Sequence, residues 1–220
     1  MDDELTGPFR SNDEERPAHR ATPPRETGRG ISRPISKTLL KLMLSSASPE
    51  EVLLMKLAVQ TAIRAKEQFD MRSKDLDLER ERIFIEHRKS GGRVIPITPS
   101  LCADLAKHRA DSPRSGDDDF VFRRCAGKSS YAHLTRTRFG KLYEKAMLAW
   151  PQELAPPPKP IWHGLRLFAV ESWVRAGLPW NAIEAFAGHT PRTPINKFGR
   201  FDPEYYRAQF IAATTSQLDD

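Results

Sequence analysis

The run from His163 to Phe198, HGLRLFAVESWVRAGLPWNAIEAFAGHTPRTPINKF, constrains this chain more than any other stretch. His163 and Arg166 are three residues apart, a spacing that on a helix sets both side chains on one face. Leu167, Val170, Trp173 and Val174 recur at i, i+3 and i+4 type intervals and predict an amphipathic helix with these residues on its apolar stripe. Gly177 stops that helix, as glycine does just past a last turn, and Pro179 suits the first turn of a second one. The second helix ends at Gly188-His189, and a Pro-punctuated loop leads to Phe198.

The rest of the chain is read around that run. At 220 residues there is room for one good-sized domain and a tail. With 39% hydrophobic and 29% charged residues the composition is that of a soluble globular protein. No apolar run approaches the ~20 residues of a membrane helix, and the acidic start Met1-Asp-Asp-Glu has no secretory apolar core. Cys102 and Cys125 lack metal-ligand spacing and read as free thiols of a cytoplasmic protein. The net charge is +6, unevenly placed: residues 1–35 hold six Lys/Arg against seven Asp/Glu, so the remainder carries +7. A basic domain is consistent with a polyanionic partner.

Residues 1–35 hold five Pro, three Gly and a single aromatic, Phe9, which predicts a disordered tail; a mobile arm whose arginines touch phosphates is the alternative. The domain then runs over 36–220. Ile35–Leu44 reads as a short helix. Ser48-Pro49-Glu50-Glu51 is a helix start with cap, N1 proline and capping-box glutamate, and the helix that follows is expected to continue through Arg64 and Glu67. Leu76–His87 and Arg93–Thr98 predict strands around a Ser90-Gly-Gly92 turn. Pro99–His108 predicts a helix, Asp111–Asp119 an acidic surface loop, and Phe120–Phe122 a short buried segment. Ser129–Trp150 predicts a long helix on which Arg136, Arg138, Lys141 and Lys145 are candidates to face a nucleic acid. Pro203–Gln217 predicts a last helix. The fold class expected is mainly α with a small antiparallel β-sheet, α+β.

Taken together, the motifs resemble the catalytic domain of the tyrosine recombinases, the phage-integrase family. His163-Gly-Leu-Arg166 is similar to the family's His-x-x-Arg, and Gly188-His189 to its Gly-His. Thr61-Ala-Ile-Arg64-Ala-Lys-Glu67 is similar to Thr-Gly-Leu-Arg-x-x-Glu, with Ala62 in place of a common Gly. Leu167 stands where many relatives have a second His. The family's nucleophilic Tyr lies nine residues after the His of Gly-His, and here that position is Phe198; the sequence from Phe198 to Pro203-Glu204 keeps the family register. The resemblance covers about Ser48 to Gln209, a catalytic domain without the family's N-terminal DNA-clamping domain.

The resemblance implies a division of roles. Arg64 and Arg166 would clamp the scissile phosphate, for which a planar, permanently charged fork is suited. Glu67 would support the site. His163 and His189 would donate hydrogen bonds or shuttle protons. Lys89 in the hairpin turn would protonate the leaving 5′-oxygen, with Arg88 the alternative at that position. Double-stranded DNA is the implied partner, bound also through Arg136 and Lys141, with self-association or a partner recombinase on the DNA. No cofactor and no metal is implied, and the setting is the bacterial cytoplasm and, when bound, the nucleoid. The last helix would pack on a neighbouring subunit or fold back on its own domain. Phe198 cannot attack phosphorus, so the chain is expected to be cleavage-deficient as written. A natural pseudo-enzyme, an engineered Tyr→Phe change, and a nucleophile displaced to Tyr205 or Tyr206 all remain open at this point.

Overall fold

The capping residues anticipated from sequence set the first helices. A computed structural model of the chain describes residues 32–86, 92–113, 116–122, 133–189 and 201–215, with His133 described by its backbone alone. Ser36 caps α1 (Lys37–Ser45) by accepting from the Leu39 amide. Ser48 and Glu51 form a reciprocal capping box at the start of α2 (Pro49–Thr61): the Ser48 amide donates to Glu51 Oε2 at 2.8 Å, and the Glu51 amide to Ser48 Oγ at 3.4 Å. Residues 1–31 of the expected disordered tail lie outside the described residues. Ile35 is buried in the core and its amide donates to the Gly164 carbonyl at 3.3 Å.

The helix that starts at Pro49 does not reach Arg64, contrary to expectation. It ends at Thr61, and Ala62 takes a left-handed conformation, φ 50°. The Thr61 hydroxyl donates back to the Leu57 carbonyl, a local bond that competes with the continuing helix. A new short helix, α3 (Ala65–Asp70), starts with Arg64 as its N-cap residue.

The predicted strand Leu76–His87 is likewise two strands, β1 (Leu76–Asp77) and β2 (Arg82–Ile85). Between them the Asp77 carboxylate accepts from the Arg80 amide at 3.2 Å and Glu81 sits at φ 48°, which turns the chain. With β3 (Arg93–Pro96) they form an antiparallel sheet of order β1-β2-β3, in which Leu76 and Ile95 both pair with Ile83. Ile83, Ile85 and Ile95 face the core and Phe84 faces solvent, the alternation of a half-buried strand. Ser90 and Gly91 of the expected turn lie outside the described residues, whereas Gly92 is described, at φ 82°.

Thr98 caps α4 (Pro99–Ala110), whose Leu101 and Leu105 are fully buried. Val121 and Phe122 are buried as expected. The single long helix expected over Ser129–Trp150 is, in its described part, a π-helical turn, His133–Arg138, running into α5 (Phe139–Leu148). Next come α6 (His163–Arg175), α7 (Trp180–Ala187) and α8 (Arg207–Thr215). Gly177 and Gly188 both lie at positive φ past helix ends, as their positions in the sequence predict. Pro179 is the N-cap of α7 rather than part of its first turn.

The apolar stripe expected on α6 is displaced. Leu165, Phe168, Ala169 and Trp173 are buried, whereas Leu167 and Val170 are only partly covered and Val174 is 49% exposed. The reason is that α6 packs against α2, α7 and α8 together, so its covered surface is broader than one stripe. Trp173, Phe186 and Phe210 form the aromatic junction of α6, α7 and α8, with ring centroids 5.0 Å apart for Trp173–Phe210 and 4.5 Å for Phe186–Phe210. The last helix, α8, packs on its own domain, with Phe210, Ala213 and Thr214 buried within the chain. Arg207 fastens it to the β1–β2 turn through Glu81 Oε2 at 2.7 Å and the Arg80 carbonyl at 3.0 Å. Among the described residues no helix is long and apolar enough to cross a membrane.

Candidate functional site

The break between α2 and α3 is what exposes Arg64. In a continuous helix its backbone amide would be used by the helix ladder; at the N-cap it donates instead to Glu67 Oε2 at 2.8 Å. The Arg64 guanidinium donates from Nη1 to Glu67 Oε1 at 3.0 Å and from Nη2 to the Gly188 carbonyl at 2.8 Å, and the side chain remains 43% exposed. Arg166, on the first turns of α6, is 4% exposed and donates from Nη1 to the carbonyl of Ala62. The left-handed Ala62 is thus the point where α2 stops and Arg166 is held. A glycine is favoured at such a φ, which accounts physically for the Gly of the family pattern.

A third arginine joins this pair, and sequence reasoning missed it. Arg93, the first residue of β3, donates from Nη1 and Nη2 to the two Glu67 oxygens at 3.1 and 2.7 Å and from Nε to the Phe186 carbonyl at 2.9 Å. Its side chain is 11% exposed and that of Glu67 13%. Burial pushes the Glu67 carboxyl pKa up, but the hydrogen bonds and charge of Arg93, with those of Arg64, outweigh it and hold the pKa at about 2. Gly188 has φ +65°, and a Cβ there would lie 2.6 Å from Arg93 Nη1. This is the close backbone approach for which glycine is needed.

The cations of this centre perturb one another. Burial, followed by repulsion from Arg64 and Arg93, lowers the Arg166 pKa to about 10, so it stays a cation at neutral pH. His163 is exposed, yet partial desolvation and then the charges of Arg166 and Arg64 lower its pKa below the ordinary imidazole value. The bound proton is therefore disfavoured. Beside these residues lies an open groove of about 700 Å³, lined by Arg64, Lys66, Arg136, Lys159, His163 and Arg166 together with Ile63 and Trp162. Among the described residues no acidic side chain lines it. Lys66 pairs with Asp70 and Lys159 with Glu144 at 3.2 Å at its edges.

Of the residues singled out from sequence, Arg64, Glu67, His163 and Arg166 come together here, and Arg136 lines the same groove. His189 is exposed directly after Gly188, its amide donating to the Glu184 carbonyl at 2.9 Å. Lys141 is exposed on α5 but does not line the groove. Arg138 instead pairs with Glu51 at 2.9 Å, at the start of α2. Lys89, Arg88 and Phe198 lie outside the described residues. The Tyr206 hydroxyl accepts from Asn181 Nδ2 at 3.1 Å and its ring stacks on Phe201, while the ring of exposed Tyr205 meets it edge-on.

A mostly helical domain with a small three-stranded antiparallel sheet is the architecture of a tyrosine-recombinase catalytic domain. The chain belongs to the phage integrase family, whose sequence model matches residues 35–198. Among solved structures, it is similar to XerA recombinase, at 17% identity and TM-score 0.56, covering 83% of this chain and 65% of that one. The integrase of mycobacterium phage Brujita is similar over 87% of this chain and 65% of its own, at 14% identity and TM-score 0.61. The Tn1549 transposon integrase, in complex with circular intermediate DNA, is similar over 80% of this chain and 64% of its own, at 18% identity and TM-score 0.56. At these identities the likeness is one of fold, and the chain spans slightly under two thirds of each of those lengths. No curated protein sequence matches the chain.

Proposed function

We propose that this protein is a DNA-binding, integrase-like protein of site-specific recombination whose cationic centre grips one DNA phosphodiester and which does not cleave DNA as written. The observation that carries this reading is the groove bordered by Arg64, His163 and Arg166, with no acid among the described residues of its lining. Two guanidiniums, one exposed and one buried and fixed by a main-chain carbonyl, suit a tetrahedral anion better than a neutral ligand. His163 would add a donor on protonation, and His189, next to the Gly188 carbonyl that Arg64 holds, would reach the same phosphate. Arg136 would meet a neighbouring phosphate and Lys141 a further one. Lys89, or Arg88, would supply the leaving-group proton in a competent relative.

The chemistry in that family is a Tyr attack on phosphorus that leaves a 3′-phosphotyrosyl bond, reversed by a 5′-hydroxyl. Phe198 keeps the ring and lacks the oxygen, and loss of a nucleophile costs on the order of 10⁶ in rate, judged from another enzyme class. A second reading follows from that residue: a binding-only regulator, or partner, of a competent recombinase on shared DNA, including one assembled with further copies of this chain.

The test compares the chain with its Phe198→Tyr variant on nicked duplex DNA drawn from mobile-element ends. A covalent protein–DNA band on a denaturing gel from the Tyr variant alone is expected. A band from the unsubstituted chain would overturn the cleavage-deficient reading. If neither forms the band while both bind, the regulator reading takes its place. In parallel, Arg64→Ala and Arg166→Ala should each weaken duplex binding and reduce its salt slope by about one; unchanged affinity and slope would sink the phosphate-clamp reading.

A further inference from the structure

We propose that Arg93 is a positioning residue of the phosphate clamp: by taking up the Glu67 carboxylate, it leaves the Arg64 guanidinium available to the DNA phosphate. This rests on the phosphate-binding reading above.

Glu67 is shared by two guanidiniums that differ in what else they can reach. Arg93 spends its donors inside the protein, on both Glu67 oxygens and on the Phe186 carbonyl, and does not line the groove. Arg64 makes one bond from Nη1 to Glu67, lines the groove and is 43% exposed. One carboxylate between two guanidiniums leaves one net positive charge, and only Arg64 is placed to present it. Without Arg93, Glu67 and Arg64 would form a neutral pair at the groove edge, and a charge-neutralised arginine is a poor phosphate ligand.

Arg93 also fixes the second partner of Arg64. The end of α7 is held between the two side chains: the Phe186 carbonyl accepts from Arg93, and the Gly188 carbonyl accepts from Arg64. Gly188 lies directly against the Arg93 guanidinium, with room for no Cβ. Arg93 therefore sets the place of both the carboxylate and the carbonyl on which Arg64 rests, without touching the ligand.

The experiment measures binding of a fluorescein-labelled duplex by anisotropy across a salt series, using the full chain and the variants Arg64→Ala, Arg93→Met, Arg64→Ala with Arg93→Met, and Arg93→Met with Glu67→Gln. Arg93→Met should weaken binding about tenfold at fixed salt and lower the salt slope by about one, as Arg64→Ala does. The Arg64/Arg93 double variant should lose no more slope than either single one, because the second residue acts through the first. Removing the carboxylate with Arg93→Met/Glu67→Gln should restore the slope while the affinity stays below that of the unsubstituted chain. Should Arg93→Met alone not fold, this last variant, which removes the buried pair as a unit, decides the matter. A slope one unit low in it, or losses that multiply in the Arg64/Arg93 variant, would overturn the proposal. An unsubstituted chain with no salt-dependent binding would remove the phosphate reading itself, and this proposal with it.

Discussion

Arg166 donates to the main-chain carbonyl of Ala62, a residue 104 positions earlier that is held in the left-handed conformation. The bond secures a nearly buried cation whose pKa is lowered to about 10, which means its charge is disfavoured in the empty protein. On the phosphate-binding proposal, a bound anion would relieve that. Inorganic sulfate at ten times its Kd should therefore stabilise the fold by about 1.4 kcal/mol and raise Tm by roughly 3–6 °C. Arg166→Met should abolish the effect, and sodium chloride at matched ionic strength should not reproduce it. Equal shifts with both salts would argue against an anion site at Arg166.

Glu67 predicts a specific acid sensitivity. Its folded pKa, about 2, lies below the ordinary value of 4.5, so its contribution to stability is fully present above that ordinary value and is lost as pH falls toward 2. A shift of that size corresponds to about 3 kcal/mol. Denaturant titrations from pH 6 down to pH 2 should show the loss, and Glu67→Gln should remove this part of the profile while lowering stability at pH 6. A Glu67→Gln profile parallel to that of the unsubstituted chain would count against the assignment.

His163 should couple DNA binding to proton uptake. Burial and the charges of Arg166 and Arg64 lower its pKa in the free protein, and a phosphate in the groove reverses the sign of the local field. The bound form then takes up a proton that the free form releases, so affinity should fall as pH rises through the region of the ordinary imidazole pKa, ~6.5. Calorimetry in two buffers of different ionisation enthalpy should report uptake of up to one proton. His163→Gln should flatten the pH dependence; a full dependence in that variant would assign it elsewhere.

Gly188→Ala should be costly for two separable reasons. Its φ of +65° is strained for an L side chain, and the new Cβ would meet the Arg93 guanidinium at 2.6 Å. A loss on the order of 2 kcal/mol, or roughly 4–8 °C in Tm, is expected. Gly177→Ala is the control, because φ is also positive there but nothing lies within 4 Å of its Cβ. Equal losses at both positions would mean that the contact with Arg93 contributes nothing.

What could be read from the sequence was local. Ser48 and Glu51 satisfy each other across one helical turn, and Gly177 and Gly188 mark ends where the backbone itself needs them. His163, Arg166, Arg64 and Glu67 were found through their motifs, and they do meet. The helix end at Thr61 was not legible, because no Gly or Pro marks it and the left-handed position is occupied by Ala. The stripe on α6 was misplaced because three helices cover it, which periodicity alone does not reveal. Arg93 was missed because its role arises only when β3 comes beside α7 and α3. The available signal was a carboxylate, Glu67, with a second arginine near the start of a strand, and nothing in that pattern is specific.

The cationic centre is also demanding to assemble. The Arg64 bond to the Gly188 carbonyl closes a loop of 124 residues, the Arg93 bond to Phe186 one of 93, and the Arg166 bond to Ala62 one of 104. Contacts of such separation carry loop-closure entropy that local helices do not help to offset, and they are expected to form late in folding. A chain that has formed α2 and its capping box, but has not yet docked α6 and α7, has helices and part of a core and no centre. Binding competence is therefore a report on completed topology, and DNA affinity during refolding should appear after helical content does.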